Sequence, residues 1–215
     1  MGLPFISGRM GRGGTLASAT ASGGGGVFNV LVFDGTDRAT IPDDTSLQVT
    51  GDLSICCWFY LDKTTGIQAL VSKRDGGGSN YTLYLHSGRL TSYDGGAFRI
   101  NPTVLSTGTW YHGAVVIDSG TSTEFYINGE LSSTQSSSTI TSNDADLTFG
   151  TDSFGSAFEG KLDDVVIYDR ILTVSEVSDI KGGTFPASGL LGKWTIEGDT
   201  GTSITDSSSN TNNGK

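Results

Sequence analysis

The sequence is poor in cysteine, proline, histidine and basic residues. Its only two cysteines, Cys56 and Cys57, are adjacent. Neighbouring side chains of a strand point to opposite faces, so a disulfide between them is geometrically unfavourable. We therefore expect both thiols to be buried as small apolar side chains. The 215 residues are enough to bury a core without cross-links.

Positive charge is also scarce. Lysine and arginine together number 13 against 23 acidic residues, which gives a formal net charge of −10. Such a chain repels phosphate backbones on average, so we expect no nucleic-acid partner.

Long apolar runs are missing as well. The longest one, residues 27–33, is interrupted by Asn29 and is too short to span a bilayer. The amino terminus reaches Arg9 and Arg12 before any long apolar run, the reverse of the order in a secretory signal. We therefore expect neither an export signal nor a membrane partner.

Histidine, the usual base in nucleophilic catalysis, is scarce. His86 and His112 are the only histidines, and the chain has no Gly-x-Ser-x-Gly motif. A histidine-centred triad thus has few possible members, and we expect no enzymatic activity.

Small and turn-forming residues are abundant: 32 glycines, 27 serines and 27 threonines. This composition favours many short strands joined by turns. Runs rich in β-branched and aromatic residues predict ten strands, at residues 27–33, 53–61, 68–73, 81–86, 89–93, 110–117, 123–127, 146–149, 160–168 and 190–197. Asn128-Gly129 predicts a hairpin turn, and Ser87-Gly88 predicts a weaker one. The serine-rich stretch 132–142 is interpreted as a solvated loop.

One helix is predicted over residues 173–181. Thr173 and Glu176 have capping-box spacing, and Val174, Val177 and Ile180 repeat every three residues. Gly182-Gly183 ends the pattern.

Residues 1–26 are interpreted as a flexible, glycine-rich N-terminal arm. They contain no acidic residue and end in four consecutive glycines. One reading is a disordered terminus. The other is a tether that binds a partner subunit through Leu3, Phe5, Ile6, Arg9 and Arg12.

Five short motifs follow one another in an order known from one family of all-β proteins. They are Phe33-Asp34-Gly35 with residues 39–43, Leu53-Ser54-Ile55 through Trp58, Trp110-Tyr111-His112, Tyr126-Ile127-Asn128-Gly129, and residues 158–165 with Tyr168-Asp169-Arg170. Together they resemble the laminin-G-like branch of the concanavalin A-like jelly rolls, close to the pentraxin type. The resemblance implies an all-β fold over residues 27–215, a two-sheet antiparallel β-sandwich with one short helix near residues 173–181.

The C-terminal segment 189–215 resembles one that family members usually carry before Phe33-Asp34-Gly35. We favour the interpretation that it supplies the usual first strand to the same chain from the other end. Donation of this strand to a neighbouring subunit and the beginning of a second repeat are the alternatives.

The same resemblance implies a weak Ca²⁺ site. Asp75, Asp152 and Glu159 match ligand positions of the pentraxin calcium loops, but Gly150 and Thr151 stand where pentraxins have further acid or amide ligands. The alternative is that Asp152 makes an Asx turn and Glu159 is solvated.

Two further features of the sequence relate to sugar chemistry. Some concanavalin A-like relatives are glycoside hydrolases with alternating acids, but here the nearest pattern has Lys161 in the middle position, between Glu159 and Asp163. Tyr84, Tyr93 and Phe98 are candidates for a sugar platform, although such aromatics more often belong to a core.

Two functional hypotheses remain. The first is a structural protein of a tailed-phage particle, either a capsid decoration (cement) protein or, with less support, a tail component. It would be located in the virion, anchored through its arm to other virion proteins or to copies of itself. The alternative is an extracellular carbohydrate-binding or adhesion module of the laminin-G/lectin type. The fold itself does not choose between them.

Overall fold

A computed structural model describes residues 29–74, 81–94, 97–197, 199 and 202–215, and the backbone alone of residues 16–20 and 27–28. These residues form fourteen strands and one α-helix. The strands are β1 Leu16–Thr20, β2 Val27–Asp34, β3 Ala39–Ile41, β4 Leu53–Leu61, β5 Ile67–Lys73, β6 Tyr81–His86, β7 Arg89–Tyr93, β8 Phe98–Ile100, β9 Trp110–Asp118, β10 Ser122–Ile127, β11 Glu130–Ser136, β12 Leu147–Phe149, β13 Glu159–Tyr168 and β14 Leu190–Trp194.

The strands form two antiparallel sheets. The eight-stranded sheet has the order β1-β2-β13-β4-β9-β10-β11, and β14 also pairs with β13. The six-stranded sheet has the order β3-β12-β5-β6-β7-β8. The predicted two-sheet β-sandwich with one short helix is therefore confirmed.

The core lies between the two sheets. Alternate residues of β4, namely Leu53, Ile55, Cys57 and Phe59, are fully buried in it. Cys56 and Cys57 are both buried and free, as predicted. Burial raises the pKa of the Cys56 thiol far above its usual value, so this thiol stays protonated.

A second apolar cluster lies on the outer face of the eight-stranded sheet, beneath α1 (Val174–Lys181). Thr173 caps this helix, and Glu176 completes the predicted capping box. Val177 and Ile180 are its buried residues. They pack against the strand residues Cys56, Ala114, Val116, Tyr126, Val166 and Tyr168.

Part of the C-terminal segment pairs with β13 of the same chain. β14 pairs with Val165–Tyr168 of β13, and β2 pairs with Glu159–Leu162 of the same strand. The two strands thus use different stretches of β13. Further along, Lys215 exchanges two backbone hydrogen bonds with Thr40 of β3 in the six-stranded sheet.

Several details differ from the sequence predictions. The strand predicted over residues 190–197 ends at Trp194, and Ile196 has a positive φ of 59°. The loop interpretation of residues 132–142 is wrong for its first part, because β11 extends to Ser136. β11 pairs with β10 across the Asn128-Gly129 turn, where both residues have positive φ as predicted. Leu16–Thr20, inside the segment interpreted as an arm, forms a strand paired with β2.

Candidate functional site

Two rows of side chains cross β9, β4 and β13 on the outer face of the eight-stranded sheet. In the first row, Tyr60 lies in register between Trp110 and Lys161. The Tyr60 and Trp110 ring centroids are 5.8 Å apart. The Lys161 Nζ atom lies 4.0 Å from the centroid of the Tyr60 ring, a cation–π contact. All three side chains are half-buried.

In the second row, Trp58 lies in register between His112 and Asp163. The His112 ring meets the Trp58 indole edge to face, with centroids 5.5 Å apart and an interplanar angle of 67°. Trp58 and Asp163 are half-buried, whereas His112 is fully buried.

These two rows continue the part of the sheet face that α1 covers. Residues packed beneath α1, such as Cys56 and Ala114, are fully buried, while the aromatic residues of the two rows retain contact with solvent. We call this surface the Trp58 face; it consists of the half-buried residues Trp58, Tyr60, Trp110, Lys161 and Asp163 together with the fully buried His112. It combines aromatic rings with a cation, an acid and an imidazole.

His112 is held neutral by its surroundings. Burial, with a smaller contribution from the nearby Lys181 charge, lowers the pKa of His112 to about 3. Neither ring nitrogen has a hydrogen-bond partner among the residues that the structure describes. Its backbone is fixed instead, because the His112 amide donates to Asn128 Oδ1 and its carbonyl accepts from the Asn128 amide.

Asp163 lies at an irregularity of β13. The register of β13 against β4 shifts between Asp163 and Val166, and Asp164 has a positive φ of 47°. The Asp164 amide donates to Asp163 Oδ1. Burial first, and then the charges of Asp164 and Glu197, raise the pKa of Asp163 to about 8. Burial and Glu197 also raise the pKa of Asp164 to about 6. Asp163 is therefore mostly protonated at neutral pH.

The aromatics named from the sequence, Tyr84, Tyr93 and Phe98, do cluster, but on the outer face of the six-stranded sheet. Phe98 lies 5.2 Å from Tyr93 and 6.2 Å from Tyr84, centroid to centroid. Tyr84 is fully buried. The Arg74 guanidinium lies 3.9 Å from the Tyr93 centroid and 4.3 Å from that of Phe154. A cation thus already occupies one face of each of these two rings.

The three residues predicted to bind Ca²⁺ are not all described, since Asp75 lies outside the described residues. Asp152 is buried, and both of its carboxylate oxygens accept hydrogen bonds. The donors are the Phe154 and Ser156 amides, the Ser156 hydroxyl and the Tyr84 hydroxyl. Glu159 pairs with Lys63 at 2.6 Å. The described residues contain no group of three His, Cys, Asp or Glu side chains suited to a metal ion.

The predicted partner-binding residues Leu3, Phe5, Ile6, Arg9 and Arg12 also lie outside the described residues. Within the described part of the chain, no helix has the length and apolar character needed to cross a membrane.

The acids on the outer side of β13 do not form a glycosidase pair. Glu159 and Asp163 are four residues apart, which is about 13 Å along a strand. Glycosidase carboxyl groups lie about 5 to 10 Å apart. Glu159 is also turned to Lys63, and Lys161 stands between the two acids.

The sequence motifs do not point to the Trp58 face, although Trp58 and Tyr60 are two residues apart and so share one face of β4. The available signal was the same alternation on three strands that pair: Trp58-x-Tyr60, Trp110-x-His112 and Lys161-x-Asp163.

The family model described as the concanavalin A-like lectin/glucanases superfamily matches residues 33–178. The chain belongs to this superfamily. No curated protein matches the sequence.

Among solved structures, the superfamily member resembles a proposed carbohydrate-binding protein from Bacteroides ovatus, with a TM-score of 0.68 and 16% identity. That match covers 94% of this chain and 58% of the Bacteroides protein, so the chain spans little more than half the length of that relative. It also resembles domain 4 of an extracellular arabinanase from Geobacillus stearothermophilus, solved in complex with arabinotriose. There the TM-score is 0.61 and the identity 23%, over 79% of this chain and 82% of the domain.

A third similar structure is a heptameric SAP-like pentraxin from Limulus polyphemus. Its TM-score is 0.50 and its identity 17%, over 67% of this chain and 81% of the pentraxin. At these identities the likeness shows the fold, in agreement with the family expected from the motifs.

Proposed function

We propose that this chain is a non-catalytic carbohydrate-binding module that binds glycan through the Trp58 face. The observation that carries the proposal is the grouping of Trp58, Tyr60 and Trp110, half-exposed and with polar side chains among them, on three adjacent strands.

The chemistry of the Trp58 face suits a sugar ring. Aromatic rings present flat apolar surface at a low cost in side-chain entropy, and they can cover the C–H face of a pyranose. Ligand sites add a few polar groups that fix the orientation of the ligand. Lys161 and Asp163 provide a donor and a carboxyl group beside the rings.

The alternative aromatic cluster is less suitable. Tyr84 is buried, and Arg74 covers one face of Tyr93 and of Phe154. A ligand stacked on those ring faces would have to displace the guanidinium.

The comparisons also favour carbohydrate binding over the phage-particle role. The matched family contains lectins, and two similar structures are a proposed carbohydrate-binding protein and a domain solved with arabinotriose. None of these three findings concerns a virion protein. The role in a phage particle stays a prediction from the sequence alone.

The test is glycan binding by the full chain and by single variants. Trp58→Ala and Trp110→Ala each remove an aromatic ring from the Trp58 face. Each should weaken binding of any glycan found on an array about tenfold or more, measured by titration calorimetry. Phe154→Ala is the matched control, since it removes an exposed aromatic ring in the loop between β12 and β13.

Thermal melting of each variant checks that the fold is kept. Unchanged affinity in both tryptophan variants, or a loss in Phe154→Ala alone, would contradict the proposed site. Failure of the wild-type chain to bind any glycan on a broad array would contradict the proposed function.

A further inference from the structure

Among the residues that the structure describes, Lys161 is a cation without a counter-ion. Its ammonium group lies over the Tyr60 ring, and among the described residues it makes no ion pair and no hydrogen bond. Two other lysines do have acidic partners: Lys63 pairs with Glu159, and Lys73 pairs with Asp43.

The two acids nearest to Lys161 along β13 do not compensate its charge. Glu159, two residues before it, binds the Lys63 ammonium at 2.6 Å. Asp163, two residues after it, accepts a hydrogen bond from the Asp164 amide, and burial keeps its carboxyl mostly protonated at neutral pH. Within the Trp58 face, Lys161 is therefore a positive charge that neither of these two acids neutralises.

We propose that the Trp58 face selects glycans that carry a carboxylate, that is, uronic acid residues, and that Lys161 is the ion-pair partner of this carboxylate. The inference rests on the proposed carbohydrate-binding function and deepens it. An ammonium group already held against an aromatic ring and partly removed from water gains more from an anionic partner than a fully solvated lysine does.

A carboxylate fits better than a sulfate-rich glycan. The protein has a formal net charge of −10 and repels polyanions of high charge density. Each uronic acid residue carries one carboxylate, which presents a single charge to the single Lys161 ammonium, and its ring can still lie against Trp58. The neutral Asp163 carboxyl can donate a hydrogen bond to the same ligand.

The experiment compares matched ligands on the full chain. Tetragalacturonate and its methyl ester have the same sugar rings and differ in the carboxylate charge. Hyaluronan and mannuronate oligosaccharides, each with its methyl ester, extend the comparison to other uronates. Calorimetry at pH 7 should show that at least one acid form binds about tenfold more tightly than its ester, or about 1.4 kcal/mol.

Variants then assign the preference to Lys161. Lys161→Gln should abolish the preference for the acid form, so that acid and ester bind with similar affinity. Lys161→Arg should retain it, because the charge is kept. The matched control is Lys193→Gln, which alters a lysine that lies over a different ring, 5.0 Å from the Phe185 centroid.

Equal binding of acid and ester in every pair would overturn the proposal, as would an acid preference that survives Lys161→Gln or binding confined to sulfated glycans. If neutral glycans bind, Trp58→Ala weakens them and no uronate binds, the uronate inference fails while the proposed function stands. If no glycan binds at all, both fail.

Discussion

Trp194 and Phe149 meet edge to face with their ring centroids 5.3 Å apart, although they belong to different sheets. Trp194 is the last residue of β14 and is fully buried. Its indole N–H donates to the Asn212 carbonyl, so one side chain joins the sheet, the core and the C-terminal segment.

We expect Trp194→Ala to lower the free energy of unfolding by about 3–5 kcal/mol, the usual cost of removing a buried tryptophan. Urea denaturation measures the effect, with Phe154→Ala, an exposed aromatic, as the control.

Truncation after Gly189 should be more severe and cause aggregation or unfolding, since it exposes the edge of β13. A truncated chain with unchanged melting and solubility would show that β14 contributes little.

His112 should lower the free energy of unfolding at acidic pH. Its pKa is about 3 in the folded protein against an ordinary 6.5, so between these values the unfolded chain binds a proton that the folded chain does not. Stability contributed by the neutral imidazole is therefore lost as the pH falls from 6.5 towards 3. His112→Phe should flatten this part of the pH profile measured by urea denaturation.

At pH 7, His112→Phe should leave the free energy of unfolding unchanged or higher, because neither imidazole nitrogen has a partner among the described residues. A loss above about 2 kcal/mol would indicate that a ring nitrogen makes a stabilising hydrogen bond.

Asp163 should lower the free energy of unfolding as the pH rises, the reverse of the effect of His112. Its pKa is about 8 in the folded protein against an ordinary 3.8, so between these values the folded chain holds a proton that the unfolded chain has released. Stability therefore falls as the pH rises from about 4 to about 8. Asp163→Asn should remove most of this dependence and gain stability relative to wild type at pH 8, with the exposed Asp144→Asn as the control.

Asp152 should stabilise its loop with or without calcium. Asp152→Ala removes the acceptor of the Tyr84, Phe154 and Ser156 hydrogen bonds, and we expect the free energy of unfolding to fall by about 1–3 kcal/mol.

Melting of the wild type in calcium and in chelator tests the Ca²⁺ hypothesis separately, since a weak site would raise the melting temperature only slightly. Identical melting would remove calcium from consideration.

The sequence predicted most of the fold because its strands carry strong local signals. β4, β6 and β7 have the predicted bounds, and both hairpin turns have the expected positive φ. The strands it missed lack such signals. β11 consists mainly of serine and threonine with largely exposed side chains, and β8 has only three residues.

The candidate site could not be predicted as readily. The alternation in β4 shows that both of its faces are apolar, but not how much of the outer face a helix covers. α1 has eight residues, so it is about 12 Å long and covers only part of that face. Whether Trp58 and Tyr60 contact solvent thus depends on where a distant short helix packs.

All six residues of the Trp58 face lie on the hydrogen-bonded strands β4, β9 and β13, and none lies on a loop. The surface is consequently preorganised, so little conformational entropy of the protein would be lost when a ligand binds. The side chains of the two rows are also fixed in spacing: about 4.8 Å between neighbouring strands and about 6.8 Å between the two rows. Selectivity would then come from matching the spacing of groups along the ligand, not from induced fit.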